Sequence, residues 1–396
     1  MHRAARPVSA PCRLASCGKA MALAALLALP VPCSAATTSP TTTAPDSRPA
    51  ITQEAKALAT ALMGRFGPSY STQIDDRRHL VYVSALDGRT SQYVMSVLAT
   101  YYDTERQLLF SPNRQWNVVI VLPTVNDFRR LAPNAKVLGF YQHSTRTLLS
   151  ISLSSVLIHE FTHALHHQDQ ASTDQRHAIW IAEGLATLFQ QSRMKGTKVD
   201  ILTDSSLMTV KKAIEQGNAF PLAELFKMDQ AAFMKRPEMS YLESRAVLLW
   251  LYRRGKLKSF YQAYKDTFGQ DPTGCLAMEK TLGGKLEDIE ADWRQWVISQ
   301  NVWRAAVSRK AQLGIRMQAD ENGVKVTGLL PGSAAQSIGK LRVGDVITAV
   351  AGHDVSTPAE LTEAIRSFLP GEIVDIVVNR NGQTMVVNQL LGTTGK

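Results

Sequence analysis

The stretch VLIHEFTHALHHQ, residues 156–168, constrains this chain more than any other. Val156, Leu157, Ile158, Phe161, Ala164 and Leu165 recur at helical spacing and call for burial, yet His159, Glu160 and His163 are interleaved with them. Residues four apart on a helix share a face, so the imidazoles of His159 and His163 can reach one ion, with Glu160 beside them. H-E-x-x-H is the pattern by which a helix offers zinc two nitrogen ligands and places a carboxylate beside the metal-bound water. The bland alternative is a core helix whose histidines are satisfied by protein groups.

A second helical stretch, WIAEGLATLF (residues 180–189), bears on that choice. It carries Glu183, twenty residues after His163, amid Ile179, Ile181, Ala182, Leu185, Ala186 and Leu188. Two helices joined by a short loop are antiparallel neighbours, so this carboxylate can face the histidine pair. Burying it unpaired is costly, and a cation between the helices removes the cost. The alternative is a glutamate on an exposed helix surface. The other histidines carry weaker signals. His166 and His167 are expected to be solvated or to stand behind the ligands. His143 and His177 can line a cleft, although surface positions are the simpler expectation. Cys275 reads as a small core residue.

The remainder of the chain falls into segments. Of the 396 residues, the first 35 contain Arg3, Arg6, Arg13 and Lys19 and no acid, followed by the apolar run MALAALLALPVP and then CSAA. That is the pattern of a secretory signal cleaved after Ala35, with a lipidated Cys33 as the lesser option, and it implies a periplasmic or secreted protein. Removing it takes the formal charge from +10 to +6, with no basic block to track a phosphate backbone, so nucleic acid is excluded as a partner. It also leaves Cys275 as the single cysteine, hence no internal disulfide, and no stretch able to span a membrane. Residues 36–50, Thr- and Pro-rich, read as a disordered tether. Residues 51–305 mix helices with the strand runs HLVYVSAL and WNVVIVLP and a hairpin-rich GFYQHSTRTLLSISL. From about 308 to 393, short β-type runs alternate with Gly and Pro turns around one helix, PAELTEAIRSF, which marks a separate small domain.

HEFTH followed by WIAEGLA resembles the gluzincin metallopeptidases of the peptidase MA-like group, and pattern-level similarity runs over roughly residues 51–300. The resemblance implies an α+β chain: a mostly helical zincin-like metallopeptidase domain with an N-terminal mixed sheet. It implies Zn2+ held by His159, His163 and Glu183, with Glu160 as general base and acid. It also implies a tyrosine on a later helix as oxyanion donor, for which Tyr241 is the candidate and a packing tyrosine the alternative. His143 and His177 stand next in line for that role. One departure is visible. Thermolysin-like members place an aspartate four residues after the glutamate ligand to orient a histidine, and here that position is Thr187.

LGIRM (residues 313–317), PGSAAQSIGKLRVGDVITAVAGHDV and PAELTEAIRSF together resemble a PDZ domain of the bacterial, protease-associated arrangement, small and β-rich. The turn from Gly344 to Ile347, followed by Gly352, carries most of the likeness. It implies that Leu313, Gly314 and Ile315 capture a peptide C-terminus while an extended segment adds to a sheet edge. The combined expectation is an exported zinc peptidase acting on proteins or peptides, with a PDZ domain that recruits or regulates. The rivals are an inactive peptide-binding adaptor and a zinc amidase acting on a non-protein substrate.

Overall fold

The computed structural model describes residues 48–300 and 311–393, apart from 113–114, 135–136, 154, 196, 205, 338–339, 351–352, 367 and 369–372. The signal segment with Cys33, residues 36–47 of the tether, the expected domain boundaries near 305 and 308, and Gly352 lie outside the described residues. Residues 48–50, read as the end of the tether, belong instead to the first helix.

Apolar strand runs bounded by turns build the first sheet. β1 (Ser71–Asp75), β2 (Leu80–Ser84), β3 (Val118–Leu122), β4 (Gly139–Gln142) and β5 (Thr147–Ser150) lie in the order β1-β2-β3-β5-β4. The pairs β2–β3 and β3–β5 are parallel, and the edges β1 and β4 are antiparallel to their neighbours. LVYVS and VVIVL are buried throughout because both faces of the sheet are covered. On one face Val81, Val83, Val119 and Val121 pack on Ala55, Ala59 and Leu62 of α1 (Arg48–Phe66). On the other, Leu80, Tyr82, Ile120 and Leu148 share a core with α2 (Gly88–Leu108) and the His-rich helix α4 (Ser155–Ser172). A short α3 (Val125–Leu131) covers the VNDFRRL segment, capped by Thr124. β1 is a strand that the polar STQID sequence hides, since an edge strand needs little apolar content.

From residue 179 the chain is mostly helical: α5 (Ile179–Gln190), then a small hairpin of β6 (Ser192–Lys195) and β7 (Lys198–Ile201). It continues through α6 (Ser206–Glu215), α7 (Leu222–Lys227), α8 (Gln230–Phe233) and α9 (Pro237–Arg253). α10 (Leu257–Thr267), α11 (Cys275–Leu282) and α12 (Leu286–Ser299) close this part. Cys275, partly buried at the start of α11, packs against the core as expected. Gly184 brings α5 and α9 together. A Cβ there would sit 2.8 Å from Leu248 Cδ1 and 3.2 Å from the Ser244 backbone, so any larger residue would force the helices apart.

The C-terminal part has its own core, in which Val324, Val326, Ile347, Leu361, Val374 and Ile376 are fully buried. Its strands are β8 (Ala311–Gln312), β9 (Ile315–Asp320), β10 (Gly323–Leu329), β11 (Val346–Val350), β12 (His353–Asp354), β13 (Ile373–Arg380), β14 (Gln383–Leu390) and β15 (Gly392–Thr393). The main sheet runs β14-β13-β11-β10-β9, so β9 is an edge, and β15 pairs with β8. One helix, Pro358–Arg366, matches the expected one. The two parts touch through polar contacts. Lys340 Nζ lies 2.7 Å from Asp87 Oδ2 at the start of α2, and the buried Asp375 Oδ1 accepts from Leu153 N at 3.2 Å, just before α4. Among the described residues no helix is long and apolar enough to cross a membrane.

Candidate metal centre

α4 and α5 are buried helices, and the polar residues on their facing sides meet at one point. His159 and Glu160 are buried on α4, His163 is nearly so, and Glu183 projects from α5. His159 Nε2 and His163 Nε2 are 3.1 Å apart, and Glu183 Oε2 lies 3.5 and 3.4 Å from them. A ligand atom from each of the three falls within 4.8 Å of the others. Glu183 Oε2 is buried yet accepts no hydrogen bond. A buried carboxylate oxygen facing two imidazole nitrogens is costly as it stands, and a divalent cation satisfies all three. Two nitrogens and one oxygen form a donor set that zinc accepts.

The three groups are also coupled electrostatically. Burial pushes the Glu183 carboxyl up, but the two histidines override it and hold it well below the usual range. Burial alone would lower His163; the charge of Glu183 reverses that and pushes it up to about 9. Each group is thus stabilised by an opposite charge at the shared point. Glu160 does not join the triad. Its Oε2 accepts from Tyr141 N at 2.9 Å, on the outer edge of β4, and burial raises its pKa. That tether turns the carboxylate towards the sheet edge and keeps it beside the cluster.

The Thr187 position does not orient a histidine: its hydroxyl bonds back to Glu183 O on its own helix. Gln190 takes the role instead, with Oε1 2.9 Å from His159 Nδ1. An amide oxygen there favours the Nδ1–H tautomer and leaves Nε2 free to ligate. Sequence reasoning missed Gln190, although it stands seven residues after Glu183, two turns along the same face.

Tyr241, in the second turn of α9, is partly buried against Phe233, with its ring centroid 6.5 Å from that of His159. It therefore flanks the His159 end of the cluster. His143 is exposed on the turn after β4, its ring 4.6 Å from that of His167. His167 bonds Tyr141 Oη through Nδ1 at 3.0 Å. Two expectations need correction. His166 is neither solvated nor behind the ligands, and His177 is neither on the surface nor in the cleft. Both are buried and bond each other, His166 Nε2 to His177 Nδ1 at 2.7 Å, with the Phe110 and Tyr261 rings packed against His166. They tie α4 to the segment leading into α5. The carboxyl-binding triplet expected in the C-terminal part comes together too: Leu313, Gly314 and Ile315 line a groove of about 190 Å³ between β9 and Leu361 and Ile365 of the facing helix. Gly314 has φ +74°, and a Cβ there would collide with Ser333.

Comparison with known proteins assigns one part of the chain firmly. Residues 311–389 match the PDZ domain family model. No curated protein matches the chain. Among solved structures, an HtrA-type protease, AlgW with decapeptide, is 22% identical over 28% of this chain and 35% of its own, with a TM-score of 0.21. The HtrA3 PDZ domain bound to a phage-derived ligand is 24% identical over 22% of this chain and 88% of its own, with a TM-score of 0.20. An aminopeptidase N family protein from Idiomarina loihiensis is 13% identical over 82% of this chain and 67% of its own, with a TM-score of 0.33. The chain spans about a third of the length of the HtrA-type proteases it matches.

Proposed function

We propose that this chain is an exported zinc-dependent metallopeptidase whose PDZ domain binds peptide segments or C-termini. The observation that carries the proposal is the buried, unbonded Glu183 Oε2 facing His159 Nε2 and His163 Nε2. A divalent cation at the shared point would satisfy that oxygen and both imidazole nitrogens together. His159, His163 and Glu183 would hold zinc, which when bound supplies a Lewis acid that lowers the pKa of water and polarises a carbonyl. Gln190 fixes the His159 ring so that Nε2 points into the site. Glu160, kept out of the triad by Tyr141 N, takes a proton from the attacking water at its carboxylate and passes it to the departing amine. Burial raises its pKa, the direction that favours a carboxylate able to accept a proton and hold it until it is passed on. Tyr241 is proposed to donate its phenol hydrogen to the developing oxyanion from the His159 side.

The PDZ groove is proposed to take an extended chain along the β9 edge, with Leu313, Gly314 and Ile315 near its carboxylate end. Export rests on the basic, acid-free leader and the apolar run that follows it. Metal analysis together with casein hydrolysis tests the function: the proposal expects one zinc per chain and new peptide termini. A metal-free protein that still cleaves, or a zinc-loaded one that cleaves nothing, contradicts it. The second outcome is what the inactive adaptor predicts.

A further inference from the structure

The groove of the PDZ domain is apolar along most of its length, and among the described residues one charged side chain lines it. Ile315 and Met317 of β9 form one wall, and Leu361 and Ile365 form the other from the helix Pro358–Arg366. Leu361 and Ile365 stand four apart and are buried, so they make up the inner row of that helix. Thr362 and Arg366 make up the next row round and also line the groove. Thr362 is spent within its own helix, since its Oγ1 donates to Pro358 O at 2.7 Å. Arg366 is exposed at the rim and makes no ion pair or hydrogen bond among the described residues, although Glu363 stands only three residues before it. Arg316, between Ile315 and Met317, faces the other side of β9: a Cβ on Gly328 would sit 3.5 Å from its Cδ.

The backbone fixes a second polar feature of the groove. Gly314 O accepts from Leu330 N at 2.8 Å and from Ser333 Oγ at 3.0 Å. Across a trans peptide bond the Ile315 N–H points the opposite way, towards the open edge of β9. That N–H can receive a terminal carboxylate, but a neutral donor cannot balance its charge. The full positive charge comes from the facing wall, at Arg366.

Resting on the peptide-binding reading of this groove, we infer that Arg366 determines its specificity by selecting C-terminal segments that bring a carboxylate to the rim. The occupant is a free C-terminus whose last side chain is apolar, seated against Leu361 and Ile365. The carboxylate that pairs with Arg366 is the terminus itself or an acidic side chain on one of the residues before it. A guanidinium suits either source, because its planar fork matches both oxygens of a carboxylate.

Fluorescein-labelled decapeptides ending in Val test this by polarisation, with full-length Glu160→Gln protein so that the probes are spared turnover. Each carries Glu or Gln at one of the three residues before the last, and each is made as a free acid and as a C-terminal amide. An exposed charge contact is worth roughly twofold to fivefold, so Kd should be lower by that factor for one Glu peptide, or for the free acids, than for the neutral counterpart. A difference between Glu and Gln peptides assigns the partner to a side chain, and one between acids and amides assigns it to the terminus. Adding Arg366→Gln should shrink that ratio towards one, and Arg366→Glu should shrink it further or reverse it. Circular dichroism and the affinity for neutral peptides should stay unchanged in both. No saturable binding by any peptide would overturn the peptide-binding reading and the selectivity with it. Equal affinity within every pair, or a preference that both Arg366 variants keep, would overturn the selectivity and leave the peptide-binding reading standing.

Discussion

His159 Nδ1 lies 2.9 Å from Gln190 Oε1, a contact that joins a metal-binding candidate on α4 to the last residue of α5. The same helix thus contributes Glu183 to the cluster and, two turns later, the group that orients one of its histidines. Replacing Gln190 by Leu keeps the size and removes the acceptor. Zinc affinity should fall by about 10- to 100-fold, measured by competition with a chelator, with secondary structure intact. Unaltered affinity would mean that the tautomer is fixed in some other way.

Tyr241→Phe keeps the ring that packs on Phe233 and deletes the phenol. If Tyr241 meets the oxyanion, kcat should drop by about 10²–10³ while KM and the melting temperature barely move. Unchanged peptide hydrolysis would make it a packing residue. His177 is no longer a substitute for the role, because its ring is buried against His166.

The His166–His177 pair gives a pH prediction. Burial and neighbouring charges hold His166 well below its usual pKa, and burial brings His177 down to about 3. Both stay neutral in the fold and charge when the chain unfolds near pH 6.5, so their stability contribution is full above that pH and is lost as pH falls below it. Glu243 acts in the opposite sense: burial pushes it up to about 8, so its contribution is lost as pH rises from about 4.5 through 8. Comparison with a variant isolates the histidine. Between pH 7.5 and 5.0, urea unfolding of wild type should lose about 2 kcal/mol more than His177→Gln does. Equal losses would contradict the buried neutral pair.

Much of the candidate metal centre was legible because the meeting of its side chains depends on local geometry. Spacing four along a helix places His159 and His163 together whatever the rest of the fold does, and Glu183 betrays itself by its apolar surroundings. Gln190 was not legible, since its reach to His159 depends on the axial offset of α4 against α5, which no local pattern encodes. The burial of His166 and His177 is set by Phe110 and Tyr261, distant in sequence, so their position in the chain suggested solvent. In the C-terminal part the glycines and alternating strands announced the PDZ fold, whereas its docking through Asp375 and Lys340 depends on surfaces that only the assembled chain presents.

That docking modifies what deletion of residues 308–396 should do. The remaining chain keeps its own cores and should fold and bind zinc. It loses the Asp375 acceptor for Leu153 N and the Lys340 partner of Asp87, so it should be less stable by about 1–3 kcal/mol, the scale of one buried group left unbonded. Thermal melts of the two proteins check this. An unfolded product would mean that the two parts form one cooperative unit.

The most direct measurement compares wild type with Glu160→Gln, both assayed for zinc by mass spectrometry and for new N-termini released from a peptide library. Glu160 bonds Tyr141 N and stands outside the His159, His163 and Glu183 cluster, so variant and wild type alike should hold one zinc per chain. Its turnover should fall by at least about 10², the usual scale for losing a general base. Near-normal cleavage by the zinc-loaded variant, or a wild type that carries zinc and releases no new termini, would contradict the account.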